Sequence, residues 1–202
     1  MANCKELQED GGWWEDLLVN RCTFPIAPVN TFTNLAYILA GLVTWLHFQN
    51  AASFVWGLTM VFLGVSSGYY HGFKNRLGGK LDDNGMYAAF TALLVYSLNP
   101  HSPLVAWVMT LVTAAVLWRI GFGPSGAALV HTYLGMAIAV IVLKLILTGA
   151  VVCGLVSLGI FGLGYAIWWQ DLQKTFKWPR WGHGAWHLLT ALAMTLLFWG
   201  AR

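Results

Sequence analysis

Charge is what this sequence has least of. Only 9% of its 202 residues are Asp, Glu, Lys or Arg, against roughly 25% in an average soluble domain. So few charges cannot cover a water-facing surface, which excludes an ordinary soluble fold. The net charge of +3 excludes a nucleic-acid-binding surface, which needs a concentrated basic patch. Cysteine is also sparse. Cys4, Cys22 and Cys153 show no metal or redox spacing. Cys153 lies in an apolar run and reads as a small buried residue, and nothing in the spacing supports a Cys4–Cys22 disulfide. An apolar leader is missing too. Residues 1–30 hold five of the eight acids, so no cleaved signal peptide is expected, and the first apolar helix is read as the insertion signal.

What remains is apolar. The chain is 58% hydrophobic, with a mean hydropathy of +0.63. It carries 12 Trp and 22 Gly. Tryptophan collects at bilayer interfaces, and glycine is commoner in membrane helices than in soluble ones. Lipid is therefore the expected solvent, and the expected fold class is an all-α membrane protein.

A spanning helix needs about 20 mostly apolar residues. The sequence predicts a seven-helix transmembrane bundle. Its spans run from about Thr31 to Phe48, Ser53 to His71, Asn84 to Leu98, Pro103 to Ile120, Ala127 to Leu147, Val151 to Trp169 and His183 to Gly200. Asn99-Pro100, Gly121-Phe122-Gly123-Pro124 and Thr148-Gly149 supply breaks. This gives an N-terminal interfacial segment over 1–30 and one membrane domain over 31–200. An odd number of spans puts the termini on opposite sides. Lys5, Arg21, Lys74, Arg76, Lys80, Arg119, Lys174, Lys177 and Arg180 then share the side of the N-terminus, against Lys144 and Arg202. The positive-inside rule places that richer side in the cytoplasm.

Ionisable groups at membrane depth are costly and default to function. Ser67 and His71 close the second predicted span, Asp82 and Asp83 open the third, and His183 and His187 open the seventh. All of these span ends lie on the N-terminal side, so the topology delivers them to one membrane face. His183 and His187 are four residues apart and share a helical face. Three neutral imidazoles suit zinc and leave the fourth position to water, the arrangement of a catalytic site. Asp82 is then the candidate base or ligand-orienting group, and Ser67, one turn deeper, the candidate oxyanion donor. The remaining polar residues read more blandly. His47, His101 and His131 read as interfacial, Lys144 as snorkelling, Asp171 to Arg180 as a solvated loop, and the tryptophans near Trp168 and Trp186 as interface belts.

At these residues the chain resembles the alkaline ceramidases, within the CREST superfamily of membrane hydrolases that also holds the adiponectin/progestin receptors. The superfamily pattern is S-x-x-x-H, then D, then H-x-x-x-H. It reads here as Ser67-Gly-Tyr-Tyr-His71, Asp82-Asp83-Asn-Gly-Met86 and His183-Gly-Ala-Trp-His187. Asn30-Thr31-Phe-Thr-Asn34 is similar to the ceramidase entry to the first helix. The resemblance implies a zinc site of His71, His183 and His187, with Asp82 as base and Ser67 stabilising the oxyanion. The implied reaction is hydrolysis of a lipid amide such as ceramide. Family members can also hold calcium through N-terminal acids. Here Glu15 and Asp16 follow Trp14, but Pro28 stands where another acid is expected, so no calcium site is carried over. The resemblance to the animal enzymes implies an N-terminus outside, opposite to the charge count.

The runner-up is a receptor of the adiponectin/progestin type, for which the short loops offer no docking surface. A transporter ranks last, because its charges should spread through the bundle depth rather than gather at one end. Oligomeric state is invisible in the sequence.

Overall fold

The computed structural model describes residues 24–98, 102–120, 124–175, 177 and 181–201. They form eight helices: α1 (Pro28–Thr33), α2 (Leu35–Phe48), α3 (Ala51–Phe73), α4 (Arg76–Leu98), α5 (Pro103–Ile120), α6 (Pro124–Leu147), α7 (Val151–Leu172) and α8 (Gly182–Gly200). Helices α1 and α2 make one rod interrupted at Asn34, giving seven rods in the predicted order. No strand occurs among the described residues.

The rods are inside out relative to a soluble protein. Large apolar side chains face outwards, including Leu104, Leu147 and Val152 at 71%, 76% and 74% exposure. Hydroxyls face inwards. Buried Ser66, Thr91 and Ser97 donate to the carbonyls of Phe62, Tyr87 and Leu93 one turn back, so these three hydroxyls are satisfied within their own helices. Among the described residues, Pro28–Phe48, Ala51–Phe73 and Val151–Leu172 are each long and apolar enough to cross a membrane. The all-α membrane fold expected from composition is borne out.

Several ends sit beyond the predicted ones, for local reasons. Pro28 opens α1 from the first helical turn, where a missing N–H costs nothing. Asn50 and Ser53 form a reciprocal capping box at the start of α3. Helix α4 begins at Arg76, two turns before the predicted Asn84, so Asp82 and Asp83 lie inside a helix instead of opening one. A hydropathy count registers only the lipid-crossing part of such a helix. Asp171 also departs from expectation. It lies within α7, is 1% exposed, and packs on Gly182, where even a methyl group would fall 2.5 Å from its Oδ1. The glycine lets the carboxylate tuck against the start of α8. Cys153 is half-buried, and the predicted Cys4–Cys22 region, His101 and Arg180 lie outside the described residues.

Packing closes the bundle around one end. Helix α3 lies against both α2 and α4, α8 against α7, and the first rod touches both α3 and α8. Glycine sets the closest approaches, as is usual where small residues replace the hydrophobic drive between helices in lipid. A Cβ on Gly85 of α4 would fall 2.6 Å from Ser66 Oγ and 2.8 Å from Leu63 Cα. Before α1, the backbone N–H groups of Ile26 and Ala27 donate to the carbonyls of Gly72 and His71 at 3.0 and 3.2 Å. Those are orphan carbonyls of the end of α3. This pins the first rod beside His71.

Candidate metal centre

Two helix ends on one face of the bundle supply the three histidines. His71 comes from the last turn of α3, and His183 and His187 come from the first turns of α8. All three are buried, at 0%, 6% and 3% exposure. One nitrogen from each lies within 4.8 Å of the others, and the Nε2 atoms of His71 and His183 are 3.1 Å apart. A tetrahedral ion with Zn–N bonds of about 2.0–2.1 Å places its ligand nitrogens about 3.4 Å apart. The cluster thus has the donor type, the number and nearly the spacing that zinc requires. Three further histidines, His47, His101 and His131, are present in the sequence. His47 stacks on Trp199 towards the other end of α2, and the side chain of His131 lies outside the described residues.

Ser67 sits one turn deeper than His71 and is 2% exposed. Its hydroxyl hydrogen-bonds the carboxylate of Asp82, which lies across the short α3–α4 connection. The close approach at Gly85 makes this contact reachable. Asp83 is the neighbour whose charge falls on Tyr87 instead. The structure therefore brings together all five residues that the sequence singles out, with Ser67 and Asp82 as a pair beside the three histidines.

Other groups join them that the sequence pattern did not mark. Lys74 ends α3 in the left-handed conformation, with φ 48°. This turn carries its Nζ back to 3.1 Å from His71 Nδ1 and 4.5 Å from the Tyr70 ring centroid. Its charge reaches Asp82, His183 and His187. Thr33, at the end of α1, meets His187 Nδ1 at 2.9 Å. Buried Tyr37 donates its hydroxyl to Thr190, whose own hydrogen goes to the Trp186 carbonyl, and its ring stands edge-on to His187. The spacing of Lys74, three residues after His71, was the one signal available for it. Thr33 and Tyr37 reach the site only through the packing of the first rod on α8.

Along the same rod runs an apolar groove of about 480 Å³, lined by Phe32, Leu35, Leu39, Trp181 and Leu188, with Thr33 as a polar member of its wall.

Fold and site together define a helical membrane protein with a buried three-histidine cluster that can hold a metal ion. No protein-family model matches the chain. It is similar to an alkaline ceramidase of Caenorhabditis elegans, 26% identical over 216 residues that take in 94% of this chain and 79% of the relative. The alkaline ceramidase resemblance carried by the motifs is thus borne out over nearly the whole chain.

Proposed function

We propose that this chain is a zinc-dependent intramembrane amidohydrolase, cleaving the amide bond of a long-chain lipid such as ceramide to a fatty acid and a sphingoid base. The observation that carries this reading is the convergence of three buried histidines with a Ser67–Asp82 pair at one end of the bundle. The likeness to an alkaline ceramidase supports the substrate class.

His71, His183 and His187 would hold the ion. Zinc held there would supply Lewis-acid chemistry, polarising a carbonyl and lowering the pKa of a water to near neutrality. Asp82 accepts that proton at its carboxylate and passes it to the departing amine nitrogen. Ser67 orients the carboxylate in the resting site, and its single hydrogen is placed to turn towards the carbonyl oxygen as negative charge develops there. The lipid-facing groove beside Thr33 gives a hydrocarbon chain a place to lie at the level of the histidines. The sequence ahead of Pro28 is read as an interfacial segment before the membrane domain. The excess of Lys and Arg on the N-terminal side puts that terminus and the histidine cluster at the cytoplasmic face.

The test is to purify the chain and its His187→Ala variant in detergent, then measure bound zinc and ceramide cleavage on the same samples. About one equivalent of zinc and hydrolysis should disappear together. A zinc-free protein that still cleaves ceramide would falsify the mechanism.

A further inference from the structure

We propose that Thr33 is the positioning residue that fixes His187 in its metal-ready form. This rests on the reading of the three histidines as a metal site.

A neutral imidazole carries one hydrogen, on either Nδ1 or Nε2, and only the bare nitrogen can bind a metal. His187 Nδ1 lies 2.9 Å from Thr33 Oγ1. A hydroxyl can give or take a hydrogen bond, so this contact alone leaves the tautomer open. A further contact closes it. Thr33 Oγ1 lies 2.8 Å from the Val29 carbonyl, one turn back on α1, and a carbonyl only accepts, so the hydroxyl hydrogen goes there. His187 is therefore the donor at Nδ1, and Nε2 keeps its lone pair. Ligating histidines are characteristically held in this way, the second nitrogen bonded to an oxygen that sets tautomer and ring angle.

The packing is specific to this job. Gly184, on the face of α8 that meets α1, lies so close that a Cβ there would stand 2.9 Å from Val29 Cγ1 and 3.3 Å from Thr33 Oγ1. Any larger residue would move the hydroxyl off the ring. The first rod thus contributes to the centre without supplying a ligand, and its docking on the end of α3 through Ile26 and Ala27 fixes one partner of each metal-bearing helix.

The experiment is a chelator competition with zinc on the full chain in detergent, comparing the unchanged protein with Thr33→Val and Thr33→Ser. Thr33→Val keeps the shape and removes the hydroxyl, and zinc affinity should fall about 10- to 100-fold. Thr33→Ser restores the hydroxyl and should bind within about threefold of the unchanged protein, a rescue that lost packing alone would not give. If Thr33→Val does not fold, Thr33→Ala carries the same expectation. In ¹⁵N-histidine spectra of the zinc-free unchanged protein, His187 should be protonated at Nδ1. Equal zinc affinity in Thr33→Val, no rescue by Thr33→Ser, or a proton on Nε2 would overturn the assignment. Failure of the unchanged protein to bind zinc would instead overturn the metal reading on which it rests.

Discussion

The ammonium of Lys74 stands 3.1 Å from Nδ1 of His71. An ammonium can only donate, so at this contact His71 accepts at Nδ1, while its Nε2 lies 3.1 Å from His183 Nε2. A cation held by His71 would sit close to this positive charge. Replacing Lys74 with Met should therefore tighten zinc binding by about tenfold, the scale on which groups behind a ligand act. Chelator competition reads this directly. Weaker binding in the variant would mean that Lys74 holds the site together instead of guarding it.

Asp82 and Ser67 should separate chemistry from metal binding. Asp82→Asn keeps the shape but cannot take a proton, so turnover should drop by about 10²- to 10⁴-fold while bound zinc stays near one equivalent. Ser67→Ala should give a smaller loss, about tenfold, because Asp82 loses its orienting hydroxyl and the carbonyl oxygen loses a donor. Elemental analysis run beside the hydrolysis assay distinguishes these outcomes. Loss of zinc in Asp82→Asn would make the carboxylate a ligand.

Removal of the metal makes a third prediction. Chelation should silence hydrolysis, and added zinc should restore it. Thermal unfolding in detergent should shift down only modestly, because the seven rods pack through their own glycine and hydroxyl contacts. A bundle that falls apart on chelation would point to a structural metal, the behaviour expected of a site whose binding energy is folding energy.

The α3–α4 contact gives a prediction far from any ligand. Gly85→Ala places a methyl group 2.6 Å from Ser66 Oγ and 2.8 Å from the Leu63 backbone. The hydroxyl can rotate, but the backbone cannot move without separating the helices. A loss of about 1–3 kcal/mol is expected, with a fall in activity as Ser67 and Asp82 part. Thermal unfolding and turnover, compared with the milder change Ala88→Ser on the same helix, measure the two effects.

Much of this protein is written in local chemistry. Scarcity of charge and long apolar runs determine a helical membrane bundle, because unpaired backbone in lipid leaves few alternatives. Proline and asparagine mark the starts of α1 and α3. Alternating sides of the membrane are enough to send His71, Asp82, His183 and His187 to one face, since the direction of each span follows from its order. The sequence could not determine what happens within that face. The Ser67–Asp82 pairing depends on how closely α4 approaches α3 at Gly85. The burial of Asp171 depends on Gly182 leaving room for it, and the meeting of Thr33 with His187 depends on the first rod closing onto α8 across 154 positions. Lys74 reaches His71 only because the chain turns left-handed at that residue. These are ångström-scale contacts, joining separate helices in every case but Lys74–His71, and they set which partners the Nδ1 atoms of His71 and His187 meet. Residue type and spacing name the donors, while tertiary packing decides where their hydrogens point.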